Sequence, residues 1–597
     1  MSPLKHSNNL AARMGRWSAS HWKTAVFGWL VLVAAVFALG GMAGLKTIDT
    51  QDSNVGQAHR ADEILKQSSF KQSDPQTELV LVQSKTLTVG APAFRAAVRD
   101  VLRSVAGHPG MRNLRADDIS ADRHSQLVTW EMKGTYDQAK QRIDALTAAV
   151  AAVATRHPSL YIGEAGSISS GKALDTLFSK QLKQAGTRSL PLTLLVLLVV
   201  FGSLVAALVP LLLALSSVIA TIGLVSLVSH VIPMDQSVSE VVLLVGLAVG
   251  VDYSLFYLKR EREERAAGRG HRAALEAAAA TSGRAVLVSG MTVLVAMAGL
   301  LVTRDKTFVS FGIGTMLVVL VAMIGSLTVL PALLAKLGDR VEKGRIPFLG
   351  RLRRPSGENR VWSKVLTPVM RRPAIAAALA GGALLALSVP VLHLHTAQSG
   401  LDALPTSAPT VGTLDKVQKT FTGTAQPAEI AVETPSVDSA AFRHAVLGVR
   451  AAVAKLPLLR GPVHVDTDPR NGVARITLSL AGNGVDATSY RALAELRADV
   501  LPSTIGRLPD TRWGVTGSTA SSHDYNVKMK ATAPYVFGFV LLFAFLLLLV
   551  SFRSLVIAAK AVLLNLLSVG AAYGLVIAVF QYGWGEHLLD FRSNGGI

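Results

Sequence analysis

Two adjacent residues carry most of the chemistry this sequence offers. In the stretch GLAVGVDYSLFYLKREREE, Gly246 to Glu264, Asp252 and Tyr253 stand inside a run apolar enough to cross a membrane, with a burst of charge directly after it. A carboxylate near the middle of a span costs roughly 2.5–3.5 kcal/mol even on insertion scales, so it is expected to turn inward and to be paired or protonated. Such a group can load a proton on one side and release it on the other as its surroundings change. One charge moved through 100 mV gains about 2.3 kcal/mol, which matches typical coupling energies of about 1–3 kcal/mol. Asp252 is therefore expected to be a proton-relay site, with Tyr253 able to donate to or accept from the carboxyl. Gly246 and Gly250 form a G-x-x-x-G step and share a stripe with Tyr253, which lets a neighbouring helix approach closely. The competing reading is an aspartate that merely hydrogen-bonds across helices, or one near the membrane surface because Lys259 is about two turns away.

The elements that must position this pair follow from composition. The chain has 597 residues, half of them hydrophobic and gathered into long runs, with mean hydropathy +0.40. That predicts a polytopic membrane protein. Runs of about 20 apolar residues predict nine spans, near 24–44, 189–208, 210–232, 238–258, 284–303, 309–334, 374–394, 534–552 and 555–580. The first follows Arg13, Arg16 and Lys23 and reads as a retained helix rather than a cleaved signal. The connections carrying Lys259, Arg260, Arg262, Arg265, Arg269 and Arg272, and Arg351, Arg353, Arg354, Arg371 and Arg372, are predicted cytoplasmic by their basic residues, as is the N-terminus. The net charge of +20 is concentrated beside such runs, where it meets anionic membrane lipids, so no nucleic-acid partner is expected. With no cysteine, disulfides and thiolate chemistry are excluded, and no cofactor or metal is expected.

Two long segments, 46–186 and 396–531, fall outside the cytoplasm in this count. The first reads strand (from Glu78), helix (92–106), strands (110–118 and 125–132), helix (137–156) and strand LYIGE; the second repeats that order from EIAVE to RWGVT. Glu78 matches Glu429, Gly166 matches Gly517 and Phe201 matches Phe552, all at an offset of 351, which indicates an internal duplication. The expected fold class is a polytopic α-helical membrane protein with two external α+β domains of ferredoxin-like βαββαβ order. Its expected parts are 1–45 with the first span, 46–186 as the first external domain, 187–335 as a five-helix bundle and 336–372 as a basic cytoplasmic linker. Then come 373–395 as the seventh span, 396–531 as the second external domain, 532–581 as two further spans and 582–597 as the end.

This layout, together with G-L-A-V-G-V-D-Y-S-L-F ending in K-R-E-R-E-E, resembles the MmpL-type (MMPL) transporters of the resistance-nodulation-division superfamily over essentially the whole chain. The resemblance implies a proton-driven exporter of lipids or hydrophobic small molecules in the cytoplasmic membrane, not an enzyme. It implies that Asp252 and Tyr253 match one half of the family's paired proton relay, with Ser289 and Thr292 facing it. Members of the family carry twelve helices and a second Asp-Tyr pair in the tenth. By the offset of 351, the partners of Asp252 and Tyr253 would be 603 and 604, so the chain is expected to be truncated before that helix. The expected partners are therefore lipid-like cargo, protons, membrane lipids, and either a homo-oligomer or a separately supplied C-terminal half. The rival classes are a protein-export accessory or sterol-sensing-type receptor on the same scaffold, and a non-transporting fragment.

Other motifs weigh less. GSISSGKA from Gly166 nearly spells a phosphate loop, but Ala173 stands where a hydroxyl must hold Mg²⁺. His393 and His395 are expected to be interfacial rather than a metal pair, and His523, Asp524 and Tyr525 a solvated helix entry. His230 and Asn565 are expected to be interface and packing residues, and Glu240 to be solvated. EREER interleaves both signs, as a solvated helix face does.

Overall fold

The computed structural model describes residues 9–48, 54–72, 76–134, 136–342, 360–394, 409–421, 427–482, 484, 486–586 and 593. Arg351, Arg353, Arg354 and His395 lie outside the described residues. The chain divides into two compact units: Met1–Ser53, Leu182–Leu384 and Met529–Val569 form one, and Asn54–Gln181, Leu385–Lys528 and Gly570–Ile597 the other.

The first unit is helical. An amphipathic helix α1 (Leu10–Ser20), capped by the Asn9 side chain on the Ala12 amide, precedes α2 (Trp22–Ala43). Gly40 of α2 and Gly223 of α7 (Leu204–Val228) bring two backbones so close that a Cβ on Gly40 would collide with the Gly223 carbonyl oxygen. Then come α8 (Val238–Ala266), α9 (His271–Ala278) joined through a π turn to α10 (Arg284–Ala298), and α11 (Lys306–Leu337). Among the described residues, eight helices are long and apolar enough to cross a membrane, and a shorter apolar stretch, Leu190–Phe201, ends a long helix introduced below.

One predicted boundary moves. The break expected near residue 209 falls at Gly202 and Ser203, because Gly202 takes a left-handed φ of +65° that ends one helix, while Pro210 lies inside α7.

The second unit holds two four-stranded antiparallel sheets. In the first, α3 (Gly56–Lys66) precedes β1 (Gln76–Gln83), α4 (Pro92–Ala106), β2 (Met111–Ile119), β3 (Ser125–Met132), α5 (Tyr136–Arg156) and β4 (Tyr161–Gly166), and the strand order is β2-β3-β1-β4. From Gly166 the chain enters α6 (Ser167–Phe201) without a break. The helices α12 (Arg360–Arg371) and α13 (Pro373–Ser388) lead on to α14 (Pro409–Thr420). The second sheet follows, with β5 (Pro427–Glu433), α15 (Ala440–Lys455), β6 (Leu459–Asp468), β7 (Val473–Leu480), α16 (Ala487–Glu495) and β8 (Arg512–Thr516) in the order β6-β7-β5-β8. Then α17 (Ser518–Phe552) and α18 (Leu555–Val576) meet at Arg553, which is left-handed at φ +51°.

Each sheet buries one face under its own helices: Val80, Val82, Val128 and Trp130 under α4 and α5, and Ile430, Val432, Ile476 and Val515 under α15 and α16. The opposite faces are covered by exchange. Val417 and Phe421 at the end of α14 close over Leu81 and Leu127 of the first sheet, and Ala61 and Ile64 of α3 close over Ala431 and Val473 of the second.

The pleat corrects one match. Val80 pairs with Glu164 as Ile430 pairs with Val515, so the place of Glu78 in the first sheet is held by Ala428 in the second. Glu429 points the other way, because a shift of one residue turns a side chain to the opposite face.

Candidate functional site

The site sits on α8, and its two glycines work as the spacing predicts. A Cβ on Gly246 would come within 2.6 Å of Val218 on α7 and of Val318 on α11, and one on Gly250 would sit 2.8 Å from Ala214 Cβ. Tyr253 is on this packed side. Its ring is 5% exposed among Val286, Met323 and Leu327. Its hydroxyl faces Ser289 and the Gly290 backbone and meets no partner at hydrogen-bonding geometry.

Asp252 does not turn inward within the described residues. It is exposed, on a stripe with Leu244, Ala248 and Phe256 at four-residue spacing. The cause is helical phase: α8 gives its glycine face to α7 and α11, and position 252 lies more than 100° from both glycines. The structure thus brings Tyr253 and Ser289 together, sets Asp252 beside them on an open face, and leaves Thr292 apart. The Thr292 hydroxyl donates to the Val288 carbonyl of its own helix at 2.8 Å.

The foot of α8 differs from the solvated face expected of EREER. Glu261 is 3% exposed, with Arg265 at 3.5 Å and His271 at 3.3 Å, and Glu264 is held between Arg260 at 2.5 Å and Arg269 at 3.0 Å. Arg262 donates to the Phe201 carbonyl at 2.9 Å and lies over its ring at 5.2 Å. Tyr257, fully buried, donates to the Leu275 carbonyl at 3.2 Å. The charges fasten α8 to α9 and to the end of α6, which sequence alternation alone did not reveal.

The other motifs resolve structurally. Lys172 of GSISSGKA reaches Asp144 at 2.7 Å and the Lys140 carbonyl at 3.0 Å, an ordinary anchor between α6 and α5. The expected solvated helix entry at Asp524 is instead a buried ion pair. Its two oxygens take Arg497 at 2.5 and 3.0 Å, and one accepts from the Ala58 amide of α3 at 2.9 Å. Burial pushes this carboxyl up, but the hydrogen bonds from His523, Arg497 and Ala58 and the Arg497 charge outweigh it and hold it at about 2. His393 is exposed and its carbonyl accepts from Gln581 at 2.8 Å, His230 reaches the Ala43 carbonyl at 3.1 Å, and Asn565 is exposed. Glu240 is half-buried rather than solvated.

Comparison with known proteins now bears on this geometry. The MMPL family model matches residues 51–376 and 402–591. The mycolic acid-containing lipids exporter MmpL11 of Mycolicibacterium smegmatis is 36% identical over 409 residues, 67% of this chain and 42% of that protein. The heme uptake protein MmpL11 of Mycobacterium tuberculosis is 35% identical over 433 residues, covering 72% and 44%. The trehalose monomycolate exporter MmpL3 of Mycobacterium tuberculosis is 25% identical over 457 residues, covering 70% and 47%. The chain spans less than half the length of these relatives. With a family match over most of its length and eight apolar helices long enough to span, the chain is a multi-pass membrane protein that belongs to the MMPL family.

Proposed function

We propose that this chain is the relay-bearing part of a proton-coupled secondary transporter that moves lipids or other hydrophobic molecules across the cytoplasmic membrane. The observation that carries the reading is the Asp252 stripe. A carboxyl flanked along its helix by Leu244, Ala248 and Phe256 is too costly to leave against hydrocarbon, so a protein surface must cover it. Covered in that way, the carboxyl lies beside the unpaired Tyr253 hydroxyl and Ser289, and a proton can be handed on as the covering helix shifts. A further helix from a second copy or a second polypeptide fits that face.

The remaining parts of the proposal follow the same reasoning. Cytoplasmic basic connections and N-terminus put the two sheets outside the membrane, at 46–186 and 396–531. Their identical strand orders support a duplicated ferredoxin-like unit. Relatives named for lipid export and for heme uptake share an amphiphilic cargo chemistry, which supports a cargo of that class here and leaves its direction to the assay.

The test uses membrane vesicles that hold this chain with every partner its own cell supplies. Labelled lipid movement driven by an imposed proton gradient is expected to fall at least about a hundredfold in Asp252→Asn, with folding checked by size-exclusion chromatography. Wild-type rates from a folded Asp252→Asn protein would refute the relay.

A further inference from the structure

The first sheet contains a feature that the second lacks and that plays no part in the proposed relay. Glu78 and Glu164 lie on its helix-covered face, 0% and 8% exposed. In register, Glu78 faces Gly166 and Glu164 faces Val80, so the two acids are diagonal neighbours, at about 7–8 Å between backbones and within reach of two long side chains. One Glu78 oxygen accepts from the Ile168 amide at 2.7 Å and the Ser169 amide at 3.1 Å, the free N–H groups that open α6. The other Glu78 oxygen, both Glu164 oxygens, the Ser169 hydroxyl and the indole nitrogen of Trp130, which lies on β3 directly opposite Glu78, are buried and meet no partner at hydrogen-bonding geometry, the nearest hydroxyls being Ser169 for Glu78 and Thr147 for Glu164.

Among the described residues no cation compensates these acids. On α6, Lys172 is taken up by Asp144 and the Lys140 carbonyl. On α5, Lys140, Arg142, Asp144 and Arg156 lie on the outward side, and on α4 Arg95, Arg99 and Arg103 are exposed while Asp100 pairs with His157. On β3, Glu131 faces the other side of the sheet and pairs with Arg112. The molecule also holds its own control. The corresponding places in the second sheet are Ala428 and Val515, 2% and 0% exposed, so this sheet architecture needs no acid at either place.

We propose that Glu78 and Glu164 form a proton-holding site in the first sheet, with Glu164 neutral and Glu78 anionic, and that the start of α6 is fastened to the sheet while this proton is held. The neutral carboxyl can donate to the idle Glu78 oxygen, which leaves the other oxygen for the α6 amides. Two anions at this spacing would repel each other in a dry core, and Glu78 would be drawn from the helix toward water, the proton leaving to bulk solvent. Burial, with a smaller push from the Glu78 charge and against the Thr147 hydroxyl, raises Glu164 to about 8, and burial raises Glu78 as well against the Ser169 hydroxyl and the α6 amides. The sign follows. A carboxyl raised in the folded state favours folding fully below its ordinary 4.5, and that contribution is lost as pH rises through about 8. The fastened helix continues into the apolar stretch Leu190–Phe201, so the proton acts on an element that extends well beyond the sheet.

The experiment uses the full chain in nanodiscs, read by pH-difference infrared spectroscopy for a protonated carboxyl and by hydrogen exchange of the peptide opening α6, corrected for the intrinsic rate. Glu164→Val copies what the second sheet tolerates, and Glu78→Gln keeps an acceptor for the α6 amides while removing the charge. The wild-type carboxyl signal is expected to titrate between about pH 6 and 9, with protection at the α6 start falling about tenfold or more across that range. In Glu164→Val the Glu164 band, isolated as the wild-type-minus-variant difference so that Asp252 and other carboxyls cancel, disappears and protection becomes independent of pH; in Glu78→Gln the Glu164 band titrates at lower pH, having lost its like-charged neighbour. A wild-type protein without a protonated carboxyl at neutral pH, or a Glu164→Val protein that keeps the pH dependence, would overturn the proposal.

Discussion

Removing Arg497 tests how the second unit holds its exchanged helix. The Asp524 side chain is 9% exposed and closes four contacts: two hydrogen bonds with Arg497 at 2.5 and 3.0 Å, the Ala58 amide at 2.9 Å and His523 Nδ1 at 3.3 Å. That amide lies in the first turn of α3, where unpaired N–H groups and the helix dipole favour a carboxylate. Arg497→Ala strands a buried anion, and breaking a buried pair in this way costs about 3–5 kcal/mol. An independent measure comes from acid. The drop of the carboxyl from 3.8 to about 2 corresponds to on the order of 2.4 kcal/mol. A lowered carboxyl contributes fully above its ordinary value and loses that contribution as pH falls through about 2. The mutational figure should exceed the titration figure, because Arg497→Ala leaves a buried carboxylate without its cation and two of its hydrogen bonds, whereas a protonated Asp524 stays in place and still accepts from Arg497 and the Ala58 amide. The assay is hydrogen exchange of the α3 peptide in the full chain at pH 7 and near pH 3, with Arg497→Ala, Asp524→Asn and the double variant. Protection of α3 should drop by about two orders of magnitude or more in either single variant at pH 7, and the double should cost less than the two singles combined. Additive losses, or less than about 1 kcal/mol in both singles, would show that Asp524 does not hold α3.

Two further outcomes are expected. Gly250→Val sets a branched side chain against Ala214, whose Cα is only 3.0 Å from a Cβ at that place, so it should cost at least about 1–3 kcal/mol of thermal stability in detergent; Gly28→Ala on α2, with nothing within 4 Å of its added methyl, should stay within about 0.5 kcal/mol. A cysteine pair at Ala61 and Gly514, in a chain with no native cysteine, should cross-link α3 to β8, since a Cβ at 514 lies 3.0 Å from that of Ala61 and needs a shift of less than about 1 Å to reach disulfide spacing. Transport should survive that link, measured with and without reductant, and its loss on oxidation would show that the two must part.

Much of the α+β organisation was legible because alternation and amphipathic period are local signals. The helix expected at 92–106 is Pro92–Ala106 and the strand expected at 125–132 is Ser125–Met132. What was not legible depends on partners far away in sequence. α3 and α14 are short and mixed in polarity, and their apolar residues make sense only against the backs of sheets built from the other segment. Gly246 and Gly250 were readable as a close approach because only glycine leaves room there, whereas the open side of Asp252 depends on which face α8 gives to α7 and α11. Glu164 did leave a signal. In LYIGE it shares the phase of Ile162, the core residue, so alternation alone places an acid inside. Glu78 served only as a marker of repetition, and the one-residue slip against Glu429 hid the contrast with Ala428 and Val515.

The exchange of α3 and α14 constrains how cargo could be moved. A path that opens by changing the angle between the two sheets must lift those helices from the faces they cover, exposing Ile64 from one side and Val417 and Phe421 from the other. At about 1.5–3 kcal/mol for each large apolar side chain, separation costs roughly 5–9 kcal/mol before any polar contact is counted. The Gln83 to Thr420 bond at 3.2 Å, the Tyr161 to Thr413 bond at 2.9 Å and the Ser69 amide on Asp468 at 2.7 Å add to it. One proton crossing 100 mV gains about 2.3 kcal/mol, which cannot repeatedly undo both covers. The two sheets therefore serve the proposed cycle as one braced body, and the proposed proton acts instead on the first amides of α6, which one oxygen of Glu78 accepts.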